Sequence, residues 1–172
     1  QITAKAESQI SRHEARRLTL RQPDSLTAWQ AFHVGSSLVY RRGEANMLGA
    51  RVYFERAVRI DPGFARAWAG LAHTHAFEVI HSPAGEQHAP MRKLLKAAET
   101  AIDADPDDPA ANLFMGRAVA AAHTTWESEA WFENAVNLSP SYAMAHQQLA
   151  TFNAFSGNQE AAIEHSSAAL RL

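Results

Sequence analysis

The nine histidines are the side chains in this 172-residue chain with the most scope for chemistry, and four of them, His73, His75, His81 and His88, fall in one short stretch. On a helix, His73 and His75 stand about 200° apart, so they cannot ligate one ion without unwinding, and no adjacent carboxylate pair completes a set. They read as solvated or hydrogen-bonded histidines, with no metal or other cofactor implied. There is no cysteine, hence no thiolate nucleophile or ligand, and no serine sits in a Gly-flanked strand-to-helix turn. Gly-rich phosphate loops are also absent. The run Asp103, Asp105, Asp107, Asp108 alternates like a calcium loop, but Pro106 and Pro109 interrupt it and no terminal Glu closes it. It reads as a helix end followed by a turn. The basic stretch Arg12, Arg16, Arg17, Arg21 has no aromatic platform beside it and reads as a solvated helix face, which argues against nucleic acid as a partner. No residue supports an enzyme.

The elements that would carry these side chains belong to a well-packed class. Hydrophobic residues make up 47% of the chain, with 8 Gly and 7 Pro, a globular composition sized for one folding unit. No apolar run reaches the roughly 18 residues that span a bilayer, so no membrane span is expected, and the cytoplasm is the default compartment. The net charge of −2 hides a division: residues 1–98 carry 14 basic against 8 acidic residues, and residues 99–172 carry 2 against 10. The chain is therefore +6 in its first part and −8 in its second.

One phrase recurs: Ala57-Val58-Arg59-Ile60-Asp61-Pro62, Ala101-Ile102-Asp103-Ala104-Asp105-Pro106 and Ala135-Val136-Asn137-Leu138-Ser139-Pro140, with Ala169-Leu170-Arg171-Leu172 as a fourth copy that stops before its proline. Pro106 and Pro140 are 34 positions apart, and Pro62 and Pro106 are 44 apart. Thirty-four is the period of the tetratricopeptide repeat, a helical hairpin. Each proline tolerates a first helical turn but cannot continue a helix, so it marks a joint between hairpins. Small residues, Ala72, Gly116 and Ala150, mark close helix crossings, while Phe54, Trp68, Leu71, Phe114, Met115, Phe132 and Leu149 fill the core.

This pattern predicts an all-α, right-handed superhelix of antiparallel hairpins: a capping helix in residues 1–24, then hairpins in 25–61, 62–105, 106–139 and 140–172. Helices are expected near 26–42, 47–60, 64–79, 91–104, 109–122, 125–137, 142–155 and 159–171. Asp24 or Ser25 is expected to cap the first of them. The turn around Arg42-Gly43-Glu44 should be about three residues longer than its counterpart in the third hairpin, and the ten extra residues of the second hairpin should form an exposed loop over Ile80 to Met91, where Pro83, Gly85 and Pro90 break a helix. Both ends of the chain read as cut points within a larger protein.

The repeats resemble a tetratricopeptide array. A finer likeness is carried by Asp24-Ser25-Leu26-Thr27-Ala28-Trp29 with Gly35, and by Phe54-Glu55-Arg56-Ala57 through Asp61-Pro62-Gly63-Phe64 to Trp68-Ala69-Gly70-Leu71-Ala72. It is similar to the repeat region C-terminal to bacterial class III adenylate cyclase domains and winged-helix transcriptional regulators. That resemblance implies a regulatory or oligomerising segment of a signalling protein, with no catalytic residue to carry over.

Stacked hairpins line their concave side with the first helix of each unit. Helical phase assigns to that wall Trp29, Phe32 and Ser36, then Arg66, His73 and Phe77, then Leu113 and Arg117, then Met144, Gln147, Thr151 and Phe155. The expected function is a non-catalytic scaffold that holds a peptide or partner protein, with self-association into a homodimer through the array's ends, in a head-to-tail or antiparallel contact between the basic and acidic parts.

Overall fold

The computed structural model describes residues 26–41, 43–122 and 125–172, with the backbone alone at Thr125. The capping helix expected in residues 1–24 lies outside the described residues. Eight helices follow: α1 Ala28–Tyr40, α2 Glu44–Ile60, α3 Ala65–His81, α4 His88–Ala104, α5 Pro109–Ala121, α6 Thr125–Leu138, α7 Ala143–Phe155 and α8 Gln159–Arg171. Each odd-numbered helix packs on the next even one, giving four hairpins, and the first helices of neighbouring hairpins also touch, α3 against α5 most extensively. No strand occurs among the described residues.

The prolines act at the joints as expected, through a recurring turn. Phe64 N–H donates to Asp61 O, Asp108 N–H to Asp105 O and Tyr142 N–H to Ser139 O, each closing a four-residue turn around the proline. Asp61 and Asp105 tighten two of these turns by accepting from the backbone N–H two residues on, at 3.1 and 3.0 Å.

A second recurrence is invisible as a motif. Six residues after each joint proline stand Trp68, Asn112 and His146, three unrelated side chains that do one job. Trp68 Nε1 donates to Pro62 O at 2.8 Å, Asn112 Nδ2 to Pro106 O at 2.7 Å and His146 Nε2 to Pro140 O at 3.0 Å. Each bond fastens a joint carbonyl to the helix that follows.

Close approach centres on two phenyl rings. A Cβ placed on Gly35 or Gly70 would come within 2.8 or 2.6 Å of the Phe54 ring, and one on Gly116 within 2.5 Å of the Phe132 ring. Phe54 is therefore held between its own hairpin and the next, and only glycine fits on either side.

Three expectations need correction. Thr27, not Asp24 or Ser25, caps α1, in a reciprocal pair with Gln30. α1 ends at Tyr40 and α2 begins at Glu44, the same interval in the chain as between Ala121 and Thr125 in the third hairpin; the three extra residues lie in α2, which has 17 residues against 14 in α6. The second hairpin has no long loop. Its turn is residues 82–87, and most of the insertion lengthens α3 and α4 to 17 residues each. Pro90 falls in the first turn of α4, where its missing N–H costs no hydrogen bond, so it starts a helix rather than breaking one.

Candidate functional site: an aromatic cleft on the concave side

A cleft of about 840 Å³ opens along the first helices. Phe32 of α1, His73 and Phe77 of α3, and Met144 of α7 form its apolar wall, with Phe54 and Phe114 at its back. The rings interlock: Phe32 lies 6.0 Å from Phe54 and 5.1 Å from Phe64, and His73 lies 4.8 Å from Phe114, centroid to centroid. Phe77 stacks on His81 at 3.8 Å. The 17-residue α3 is long enough to bring both His73 and Phe77 to the wall.

The polar groups in and around this wall are only partly neutralised. Arg66 donates from Nε and Nη2 to Asp108 Oδ2 at 2.8 and 2.6 Å, while Asp108 Oδ1 caps α5 by accepting from Ala110 and Ala111 N–H. One buried carboxylate thus fastens α3 to the start of α5 and offsets the Arg66 charge. Burial pushes His73 down to about 4, with the Arg117 charge adding to the effect, so the imidazole is neutral at physiological pH. Tyr142 is raised above the ordinary phenol range by burial first, then by Tyr40 and Asp108, and keeps its proton. Arg117 sits behind the wall with its guanidinium 5.6 Å from the Phe114 centroid; burial lowers its pKa. The cleft lining is aromatic and its Arg66 charge is offset by Asp108, while Arg117 keeps its charge beside the Phe114 ring.

A second polar group lies off the cleft between hairpins 1 and 2. Arg51 reaches Glu78 Oε2 at 2.7 Å and donates to both Oγ1 and O of Thr74. Burial works to raise the Glu78 carboxyl, yet Arg51 and the hydrogen bond from His75 hold it below its usual value. Burial lowers His75, and Arg51 pushes it the same way against Glu78. His73 and His75 therefore face different surroundings, as their separation on the helix requires. Among the described residues, no three His, Asp or Glu side chains converge on a point that could hold a metal.

The structure brings together Phe32, Ser36, Arg66, His73, Phe77 and Met144 of the expected wall. It places the others elsewhere. Leu113 is fully buried and out of reach of any partner. Its neighbour Phe114 is core, as read from the sequence, at 3% exposure, and also forms part of the back of the cleft; one residue of error rotates a helical face by about 100°. Trp29 does not line the cleft; its ring lies 3.9 Å from that of the lining residue His33, the planes tilted by 54°. Gln147, Thr151 and Phe155 are exposed beyond it, and the Thr151 hydroxyl is turned back onto Gln147 O. Sequence reasoning missed Asp108 and Tyr142 as parts of this site. Both stand two residues after a joint proline, at the position of Phe64, so the repeat register was the signal available.

No family model matches the chain. A curated relative, the anaphase-promoting complex subunit CDC16 of Saccharomyces cerevisiae, is 33% identical over 91 residues, which are 53% of this chain and 10% of that protein. The chain thus spans about a tenth of that relative. Among solved structures it is similar to a thermophilic TPR protein of Thermus thermophilus, with a TM-score of 0.66 at 18% identity, covering 84% of this chain and 74% of that one. It is also similar to the APC/C hetero-tetramer Cut9–Hcn1, with a TM-score of 0.63 at 21% identity, over 91% of this chain and 27% of that one. MamA of Desulfovibrio magneticus RS-1 gives 0.55 at 18% identity, over 84% and 75%. None of these is a cyclase or a winged-helix regulator. The joints, the close crossings and these likenesses agree on one architecture: the chain is an all-α superhelix of tetratricopeptide type.

Proposed function

We propose that this chain is a non-catalytic scaffold that holds a segment of a partner protein in its concave cleft, with apolar side chains of that segment seated against Phe32, Phe77 and Met144. The observation that carries the reading is the cleft itself, about 840 Å³ with an aromatic wall and its Arg66 charge offset. An apolar anchor enters such a surface without stranding a buried ion, and the exposed rim of Arg66 remains to orient polar groups of the partner. Two of the similar proteins, CDC16 and Cut9–Hcn1, are parts of multiprotein assemblies by name, which fits a scaffold. The reading as a regulatory segment of an adenylate cyclase or winged-helix regulator draws no support from these relatives.

The test is selection of random displayed peptides against the wild-type chain, with Phe77→Asp as counter-screen and circular dichroism to confirm that the variant folds. Peptides of micromolar affinity, about −8 kcal/mol, are expected, with apolar anchors and loss of binding to Phe77→Asp. Selected peptides that bind both proteins equally would show that the cleft is not the binding surface.

A further inference from the structure

Of the two guanidinium groups beside the cleft, one has an anion and the other has none. Arg66 uses Nε and Nη2 on Asp108 Oδ2 and leaves Nη1 uncommitted, with its side chain 52% exposed. Among the described residues, no carboxylate pairs with Arg117 and no hydrogen bond satisfies its guanidinium, which rests beside the Phe114 ring. It is not sealed in, because no nitrogen of Arg117 is both buried and without a partner. The same holds for the Tyr142 hydroxyl, a donor in the cleft lining that bonds to none of the described residues. Tyr142 lies within electrostatic reach of both Arg66 and Arg117, and His73 within reach of Arg117, so these groups form one neighbourhood.

We infer that the segment held in the cleft carries one acidic side chain, Asp or Glu, whose carboxylate pairs with Arg117 beside Arg66 and accepts a hydrogen bond from the Tyr142 hydroxyl. This rests on the reading of the cleft as a partner-binding surface and names what the apolar wall cannot supply. A segment running from Phe77 on α3 to Met144 on α7 crosses α5, and there it takes water from Arg117. Covering an unpaired guanidinium is costly unless the covering group is an acceptor, best an anion. Charge selects a carboxylate over a phosphoryl group. Two guanidinium charges against the single Asp108 carboxylate leave one positive charge, since His73 and Tyr142 are neutral at physiological pH. A carboxylate matches it, whereas a phosphoryl group, at about −1.5 to −2, exceeds it and meets Asp108. Apolar seats lie on both sides, at Phe77 and Met144, so the acid belongs inside the segment rather than at a chain end.

The test uses displayed peptides selected on the wild-type chain and kept only if Phe77→Asp abolishes binding. An Asp or Glu at a constant distance from an apolar residue is expected among them. In a synthetic copy, replacing that acid by its amide is expected to weaken binding to the wild type about tenfold, and to Arg117→Gln by less than about twofold. Tyr142→Phe, which removes one hydroxyl and preserves the ring, is expected to lower affinity for the acidic peptide several-fold and to leave the amide peptide unchanged. That variant keeps the assignment readable even if Arg117→Gln does not fold. Phosphoserine at the acidic position is expected to bind less tightly than Glu. Phe77-dependent peptides without an acid, an acid whose replacement costs as much on Arg117→Gln as on the wild type, indifference to Tyr142→Phe, or tighter binding of phosphoserine would each overturn this assignment and leave the cleft reading standing. Peptides all indifferent to Phe77→Asp, or none at all, would overturn both.

Discussion

Hairpins 3 and 4 share the same 34-residue register and the same joint turn, yet one is closed and the other is not. In hairpin 3, Phe132 fills the space behind Gly116, Asn112 holds both Pro106 O and, through its own Oδ1, the Nδ2 of Asn134 on α6, and Val136 is partly covered by hairpin 4. In hairpin 4, Ala150, Ser166, the His146–His165 contact at 3.0 Å and the bare Leu170 take those places. The comparison separates two things the repeat encodes. Backbone course follows from joints and crossings, whereas burial of a second helix also draws on the hairpin after it: α7 packs against α6, and no described helix follows α8.

The sharpest break in that comparison is steric. Gly116→Val pushes a side chain into the Phe132 ring, and we expect a loss of about 3 kcal/mol in chemical unfolding. Ala150→Val at the matching position of hairpin 4, where no ring waits opposite, should cost under about 1 kcal/mol. Equal losses would show that Phe132 is not what closes hairpin 3.

A comparable effect comes from acid, and it belongs to the cleft. Unfolded His73 binds a proton near 6.5, but the folded residue does so only near 4, because of burial and Arg117. Between these values the unfolded chain holds more protons, so stability falls as pH drops through that window, and the loss is complete below about 4. The total is about 3 kcal/mol, and His75, also lowered by burial, acts in the same direction. Chemical denaturation from pH 7 to 4 should show a clearly flatter curve for His73→Phe. An unchanged slope would remove His73 from the buried wall.

Smaller effects rank the polar fastenings. Asp108→Ala removes both a helix cap and the partner of Arg66, and should cost about 2 kcal/mol, whereas Asp108→Asn keeps the cap and should cost about half that. Asn112→Ala should cost more than Trp68→Phe, about 2 against about 1 kcal/mol, because Asn112 is fully buried and also donates to Asp108 O. Both rankings are read from urea midpoints. The gentlest probe is hydrogen exchange: the amides of α8 should exchange first and those of α3 and α5 last, since α8 buries no side chain. Protection of α8 equal to that of α5 in dilute solution would contradict its open state.

Much of the fold was legible from spacing alone. Proline joints at a 34-residue interval and small residues at the crossings place the eight helices to within a few residues, because a helix cannot cross a proline joint and two helices cannot approach over bulk. Periodicity could not decide where the inserted residues go. A turn and an added helical turn use the same residues, and Pro90 is compatible with either; what decided it was that the lengthened α3 and α4 can pack against each other over the added residues.

The site was legible only in part, for a related reason. The sequence led to the expectation that first helices line a concave wall, and Phe32, Ser36, Arg66, His73, Phe77 and Met144 of that expectation line the cleft. It could not fix helical phase to one residue, so Leu113 stood in for Phe114. Nor could it see that Trp68, Asn112 and His146 are one device, or that Asp108 offsets Arg66, 42 positions away in the chain. The first depends on how three different side chains turn back onto a joint carbonyl, and the second arises where side chains from separate hairpins meet. A hydrogen bond or an ion pair depends on distance and direction in space, and chain spacing constrains neither across a joint.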